Sequence, residues 1–171
     1  YGDLLEARQR MNKQEVFEFL QAQGVTYEVT EHKAVYNMDE LAEVELPYPE
    51  ADAKNLFVRD DKKSSYYLIT VRGGKRVDLQ EFRKAYGTRR LSFASAEDLE
   101  RLLGLFPGSV TPLGLLNNTE RNVKLFLDSD FGEDDLIGVH PNENTATVWL
   151  KAGDLVRLIR EHGNEVEAVE L

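Results

Sequence analysis

Residues 54–78 read KNLFVRDDKKSSYYLITVRGGKRVD and predict a β-hairpin. The first strand alternates apolar and polar residues, residues 60–65 are turn formers, and residues 66–71 are aromatic and β-branched. The Gly-Gly pair that follows ends the second strand. Lys54 and Asn55 stand side by side where the first strand begins, so a cation and an amide are available there.

The charge of this part of the chain contrasts with the rest. Between residues 54 and 90, eleven Lys or Arg stand against four Asp or Glu, in a chain whose net charge is −10. A basic segment in an acidic protein is a candidate contact for a polyanion. The alternative is that these cations only solvate the outer faces of a hairpin and a helix. The candidate contacts are Arg59, Lys62, Lys63, Arg72, Lys75 and Arg76.

Length and composition bound the class of protein. A chain of 171 residues predicts one domain over residues 1–171, with residues 1–11 as a peripheral helix at most. Without cysteine there is no disulfide, thiolate nucleophile or sulfur-bound metal. No apolar run approaches the roughly 18 residues of a membrane span. We therefore expect a soluble, cytoplasmic protein with no membrane partner.

Short helices and strands alternate along the rest of the chain. Capping signals predict helices that start after Asn12, Asn37, Asp78 and Ser95, and a last helix that starts at Asp154. Strands outnumber helices and come in hairpins, which predicts an α+β (mixed α/β) fold around a mostly antiparallel sheet. The further predicted strands are residues 25–29, 91–93, 123–127, 136–140, 146–150 and an edge strand at 166–171.

The usual signatures of metal and nucleotide sites are absent. His32, His140 and His162 lie far apart, without the spacing of a helical metal site. Neither a G-x-x-x-x-G-K-[ST] loop nor a G-x-S-x-G elbow occurs. We therefore expect no metal and no cofactor.

The remaining candidates each have a structural interpretation and a chemical one. Lys54 is either a solvated lysine at a strand end or a point charge for a phosphate or oxyanion. Gly108 either serves a turn or, with Ser109, offers backbone amides to a developing oxyanion. His140 is either a structural histidine at a strand end or part of the same site. Together such groups suit hydrolysis of an activated ester without a covalent nucleophile.

The two neighbouring candidates Lys54 and Asn55 raise a geometric condition. Successive residues of a strand point to opposite faces. Both side chains can reach one ligand only if a strand end or a bulge relaxes that alternation.

Several blocks of the sequence resemble one family. KNLFVRD at 54–60, GGKRVDL at 73–79, RLSFAS at 90–95, PGSVTPLGLLNN at 107–118 and HPNENTATVWL at 140–150 closely resemble the free-standing prolyl-tRNA editing proteins of the YbaK/EbsC-type fold. EHKAVYNMDE at 31–40 is similar to an early segment of that family. The blocks occur in order and cover nearly the whole chain from Asn12.

The resemblance implies a mixed α/β fold with a central, largely antiparallel, barrel-like sheet, no metal, and deacylation in trans of mischarged prolyl tRNA. It implies catalytic roles for Lys54, Asn55, Gly108 and His140, with a water positioned by a substrate hydroxyl and backbone groups. Its implied partners are the acceptor end of mischarged tRNA(Pro), which the basic segment would contact, and prolyl-tRNA synthetase. The implied substrate-binding residues are Ser109, Val110, Thr111, Pro112, His32 and Asn144.

The blocks look most like the alanine-specific branch of that family. A synthetase pocket built for proline cannot exclude alanine by size, because each missing methylene costs only about 1–3 kcal/mol of binding. Residues 110–116 and the 140–150 hairpin are candidates to shape a second pocket that admits alanine. The alternatives are a cysteinyl-tRNA(Pro) deacylase and a non-catalytic tRNA-binding module of the same fold.

Overall fold

The fold consists of two β-sheets flanked by helices, and the computed structural model describes residues 11–34 and 46–171. In chain order the strands are β1 Tyr27–Glu31, β2 Ala53–Asp60, β3 Tyr66–Arg72, β4 Leu91–Phe93, β5 Val123–Asp128, β6 Leu136–Val139, β7 Ala146–Lys151 and β8 Val166–Val169. The helices are α1 Lys13–Ala22, α2 Leu79–Tyr86, α3 Ala96–Leu103 and α4 Ala152–His162, with two 3₁₀ helices at Pro49–Ala51 and Pro112–Asn117.

Local capping signals begin three of these helices where the sequence predicts them. Asn12 and Glu15 form a reciprocal capping box on α1, and Ser95 and Asp98 form another on α3. The Asp78 side chain accepts from two backbone amides at the start of α2. The last helix, α4, begins at Ala152, two residues before the predicted start. The predicted helix after Asn37 lies outside the described residues.

The strands form a three-stranded sheet, β1-β7-β6, and a five-stranded sheet, β4-β2-β3-β5-β8. β2 and β3 form the predicted antiparallel hairpin, whereas β5 pairs in parallel with both β3 and β8. The prediction of a mixed, mostly antiparallel α+β fold is confirmed. The prediction of a barrel-like sheet is wrong, because among the described residues β4 and β8 are edge strands and the two sheets do not close on each other.

The five-stranded sheet is buried on both faces. Phe57 of β2 and Leu68 of β3 belong to a large apolar core, which also includes residues of the three-stranded sheet. Val58 and Ile69, their neighbours in sequence, belong to a second apolar cluster that includes Phe82 of α2. Adjacent residues of β2 therefore point into different compartments.

The predicted loop at residues 107–118 contains a buried 3₁₀ helix. Pro112 lies at its start, where a missing amide hydrogen costs nothing, and every residue of Pro112–Asn117 is buried. The Asn117 and Asn118 side chains donate to the carbonyl oxygens of Leu103 and Leu102 at the end of α3. These asparagines fix the position of the segment. Within the described residues, no helix is long and apolar enough to cross a membrane.

Candidate active site

The candidate site lies where the two sheets part. Asp52, just before β2, forms an isolated parallel bridge with Gly138 of β6. Beyond this bridge the two strands run on in the same direction but in different sheets, with no further pairing recorded between them over residues 11–34 and 46–171. We call the gap between Ala53–Phe57 and Val139–His140 the fork.

One loop connects the two sides of the fork. The side-chain amide of Asn55 donates a 3.3 Å hydrogen bond to the carbonyl oxygen of Val110. The hydroxyl of the next residue, Thr111, donates a 2.7 Å hydrogen bond to the carbonyl oxygen of His140. The structure thus brings together three predicted blocks that are separated by dozens of residues in the sequence.

The orientation of the Asn55 amide is fixed from both ends. The buried hydroxyl of Thr70 on β3 donates a 2.7 Å hydrogen bond to Asn55 Oδ1. Because that oxygen accepts from Thr70, the NH₂ group faces Val110. Asn55 therefore has two roles: it holds the loop in place, and its side chain lines the fork.

His32 and His140 lie next to each other on the β6 side of the fork. Their ring centroids lie 6.4 Å apart and the rings meet edge to face. His140 Nδ1 lies 3.0 Å from the carbonyl oxygen of Ala146. His32 Nδ1 lies 2.8 Å from the carbonyl oxygen of Lys33, and its Nε2 lies 3.0 Å from the Thr147 hydroxyl. A carbonyl only accepts, so each neutral ring carries its proton on Nδ1 and keeps Nε2 as an acceptor.

Burial also sets the protonation of the site. Desolvation lowers the pKa of His140 below its usual value, and the nearby His32 lowers it further. Neutral imidazole is therefore the favoured form of His140 near pH 7. At the base of the fork, desolvation raises the pKa of the Asp52 carboxyl to about 6.

The loop at residues 107–111, which we call the glycine loop, forms a tight turn at the bottom of the fork, which we call its floor. Gly108 has a φ of 97°, which a side chain would disfavour. Ser109 is fully buried, and its hydroxyl and its amide both donate to the carbonyl oxygen of Phe106. The Ser109 amide is thus already engaged, so an oxyanion would have to use the amide of Gly108.

Lys54 lies on the opposite face of β2 from Asn55. The pairing with β3 is regular, Lys54 opposite Val71 and Asn55 opposite Thr70, so no bulge relaxes the alternation. The Lys54 ammonium instead approaches the carbonyl oxygen of Lys75 at 3.5 Å. The strand itself separates these two candidates.

The turn between β6 and β7 closes one end of the site. Asn144 in this turn is buried. Glu143 beside it lies 3.6 Å from the Lys13 ammonium, and its carboxylate accepts from the Thr145 hydroxyl. Glu143 thus has partners within the protein, although the Lys13 ammonium also lies 3.4 Å from Glu31.

The predicted polyanion contacts divide into two groups. Arg59 pairs with Asp98 at 2.7 Å, and Lys75 pairs with Asp128 at 2.8 Å. Arg72 donates to the carbonyl oxygens of Glu50 and Asp130 and lies over the Phe131 ring. These three cations stabilise the fold. The exposed members of the predicted set are Lys62, Lys63 and Arg76.

Sequence reasoning did not single out three residues of this site. Thr70 and Thr147 are buried polar residues within apolar strands, a signal that was available in the sequence. Asp52 gives no such signal, because its environment depends on the bridge to Gly138. No three His, Cys, Asp or Glu side chains in the described part of the chain come together as a metal site requires.

Comparison with known proteins identifies the family. The family model described as "Aminoacyl-tRNA editing domain" matches residues 32–158, which is well over half of the chain. This chain belongs to the aminoacyl-tRNA editing domain family. The match runs from His32, just after β1, to the middle of α4 and thus includes every residue of the fork.

Individual proteins named for prolyl-tRNA editing or for association with prolyl-tRNA synthetase are also similar to this chain in sequence. A "Prolyl-tRNA editing protein ProX" from Acetoanaerobium sticklandii is 34% identical over 159 residues, which cover 93% of this chain and 97% of the relative. The "Prolyl-tRNA synthetase associated domain-containing protein 1" of Bos taurus is 31% identical, over 85% of this chain and 87% of its own length.

A solved structure shares the fold. It is described as a candidate trans-editing enzyme for prolyl tRNA synthetase, with a TM-score of 0.67 and 24% identity, and the match covers 93% of this chain and 96% of that one.

Proposed function

We propose that this protein is a trans-editing hydrolase that deacylates mischarged alanyl-tRNA(Pro). The observation that carries the proposal is the pair of hydrogen bonds from Asn55 to Val110 and from Thr111 to His140. They join the three sequence blocks at a single fork in a chain of the editing-domain family. The relatives named for prolyl-tRNA editing and for association with prolyl-tRNA synthetase support tRNA(Pro) as the carrier.

The reaction is hydrolysis of the ester between alanine and the terminal ribose. The oxygen of a water molecule adds to the ester carbonyl carbon, and the bond from that carbon to the ribose oxygen then breaks. The ribose oxygen takes up a proton, so the products are alanine and uncharged tRNA. An aminoacyl ester is already activated, so orientation and charge stabilisation supply the catalysis.

The residues of the fork divide this work. Neutral His140 accepts a hydrogen bond from the attacking water through Nε2, the acceptor nitrogen left by its Nδ1 contact with Ala146. The backbone amide of Gly108 donates to the developing oxyanion. The hydrogen bond from Asn55 to Val110 fixes the position of that loop relative to His140. Lys54 binds a phosphate of the terminal nucleotide.

Selectivity for alanine comes from the size of the fork. The loop at Val110–Thr111 is tied to both sides, so the floor cannot move down to admit a larger acyl group. Ser109 of the same loop and Pro112 just after it are buried, as is Asn144 in the β6–β7 turn, and the His32 ring lies edge to face with His140. We expect an alanyl methyl to fit beside Val110 and the larger proline ring to require displacement of the loop. We expect the enzyme to act in the cytoplasm on the acceptor end of tRNA(Pro), alone or beside prolyl-tRNA synthetase.

The test is deacylation of preformed alanyl-, cysteinyl- and prolyl-tRNA(Pro) in parallel. Fast release of alanine with proline retained is the expected result. Preferential release of cysteine would assign the protein to the alternative deacylase class. Binding of tRNA without release of any amino acid would make it a non-catalytic tRNA-binding module.

A further inference from the structure

Within residues 11–34 and 46–171, the outer edge of β2 has no strand paired to it beside the fork. On that edge β4 pairs only with Val58–Asp60, and β6 touches only Asp52 through its isolated bridge. No strand of the described chain pairs with Lys54–Leu56 on this side. A substrate held in the fork can therefore extend along this edge towards β4.

Phe93 ends β4 at the far side of the open edge. It pairs with Val58 of β2 and is 62% exposed, more than any other large apolar side chain of the described chain. Val58 and Lys54 are four residues apart on one strand, so Phe93 stands over the same face of the sheet as Lys54. The two lie about 13 Å apart along the strand, from the rise of roughly 3.3 Å per residue.

Five cations without an ion pair among the described residues lie on β2, in the β2–β3 turn and in the segments that follow β3 and precede β4. Within the described part of the chain, no ion pair involves Lys54, Arg76 or Arg90. The same holds for Lys62 and Lys63 in the exposed β2–β3 turn. An exposed aromatic ring on a strand whose neighbouring segments carry these unpaired cations, in a chain of net charge −10, is the combination that single-stranded nucleic acids bind.

We propose that Phe93 is a stacking platform for an unpaired base near the 3′ end of the substrate RNA. Lys54 then binds a phosphate between that base and the esterified nucleotide in the fork. This inference rests on the proposed function, since it concerns the same RNA. It also gives a reason for the opposite orientations of Lys54 and Asn55, because the RNA end wraps around the open edge and meets one residue on each face.

The test compares two substrates with Phe93→Ala. One is alanyl-tRNA(Pro) and the other is alanyl-adenosine, which carries the ester without the preceding nucleotides. Loss of one stacked base is expected to lower kcat/KM for the tRNA about ten-fold, mainly through KM, with alanyl-adenosine hydrolysis unchanged. Phe93→Tyr keeps the ring and should retain the wild-type rates. Val29→Ala, an exposed apolar residue on the edge strand β1, is the matched control and should change neither substrate.

A direct binding measurement uses Phe93→Trp with a short single-stranded RNA that ends in CCA. Stacking should quench the fluorescence of the added tryptophan, while Trp149, which is 1% exposed, gives the unchanged background in the wild type. Equal tRNA kinetics for wild type and Phe93→Ala would overturn the platform, as would an equal loss with both substrates.

A shift of Phe93→Ala from dimer to monomer, with unchanged kinetics, would also overturn the platform and assign this surface to a second copy of the chain. These failures differ from failure of the proposed function, in which wild-type protein would release no amino acid from any mischarged tRNA.

Discussion

The hydroxyl of Thr70 donates a 2.7 Å hydrogen bond to the side-chain carbonyl oxygen of Asn55 on the neighbouring strand. Thr70 is completely buried, and the opposite end of the same amide donates to the carbonyl oxygen of Val110. A residue of the apolar strand β3 thus determines which way the Asn55 amide faces. Through that amide it determines where the glycine loop lies relative to His140.

Replacement of Thr70 by valine should impair catalysis. Valine keeps the shape of the side chain but removes the donor, so Asn55 Oδ1 loses its partner and the amide can rotate away from Val110. We expect a five- to ten-fold fall in kcat, measured on alanyl-tRNA, and a loss of about 1–3 kcal/mol in the free energy of unfolding. Thr70→Ser should restore most of the kcat, and Thr88→Val on the surface serves as control. A wild-type kcat for Thr70→Val would contradict this role.

Removal of the Thr111 hydroxyl should loosen the other side of the loop. Thr111→Val loses the 2.7 Å bond to the His140 carbonyl oxygen and leaves that oxygen without this donor. We expect a fall in kcat of about ten-fold, a cost near 1 kcal/mol in stability, and recovery of activity in Thr111→Ser. If proline becomes a better substrate of Thr111→Val, the loop also sets the size limit. Unchanged rates with both alanyl- and prolyl-tRNA would show that the floor of the fork does not depend on this bond.

Protonation of His140 should destabilise the fold in mild acid. Its folded-state pKa is lowered by burial, so the unfolded chain binds its proton first as the pH falls. The stability contribution is therefore complete above the unfolded pKa of about 6.5 and is lost as the pH falls from there towards the lowered value. Urea unfolding at pH 7.5 and pH 5 should show a smaller acid loss for His140→Gln than for the wild type. Parallel losses in the two proteins would refute the assignment.

Asp52 should have the opposite pH dependence. Its folded pKa of about 6 lies above the unfolded value, so its contribution to stability is present at low pH and is lost as the pH rises through 6. Asp52→Asn removes the charge and should stabilise the protein by about 1–2 kcal/mol more at pH 7.5 than at pH 4.5. Asp134→Asn at an exposed position, measured at the same two pH values, provides the control for the substitution itself. A stabilisation by Asp52→Asn that is equal at both pH values would contradict the raised pKa.

Local features of the sequence predict most of the elements. Helix α2 begins after Asp78 and ends before Gly87 as its capping residues indicate, because a cap acts within one helical turn. The long-range arrangement is different. The parallel pairing of β3 with β5 and the separation of the two sheets depend on contacts between distant segments, which periodicity does not encode.

The same distinction applies to the site. Resemblance to known motifs identified Lys54, Asn55 and His140 as candidate site residues. The hydrogen bonds of the loop connect Asn55 with His140. The opposite orientations of Lys54 and Asn55 follow from regular pairing of β2 with β3. The sequence leaves open whether a bulge interrupts this pairing, and the structure shows that the pairing is regular. The sequence does not identify Asp52 as a site residue, because its raised pKa arises from burial at the point where the two sheets meet.

The most direct test of the account is single-turnover deacylation of alanyl-tRNA(Pro) by the wild type and by Lys54→Ala. The Lys54 side chain is only partly buried, and its one hydrogen bond to the described part of the chain is long, so its truncation should leave the unfolding midpoint nearly unchanged. We predict rapid release of alanine by the wild type and a loss of about 100-fold or more in the variant, the usual cost of removing one electrostatic group from an active site. Near-normal release by Lys54→Ala with an intact fold would contradict the proposed site.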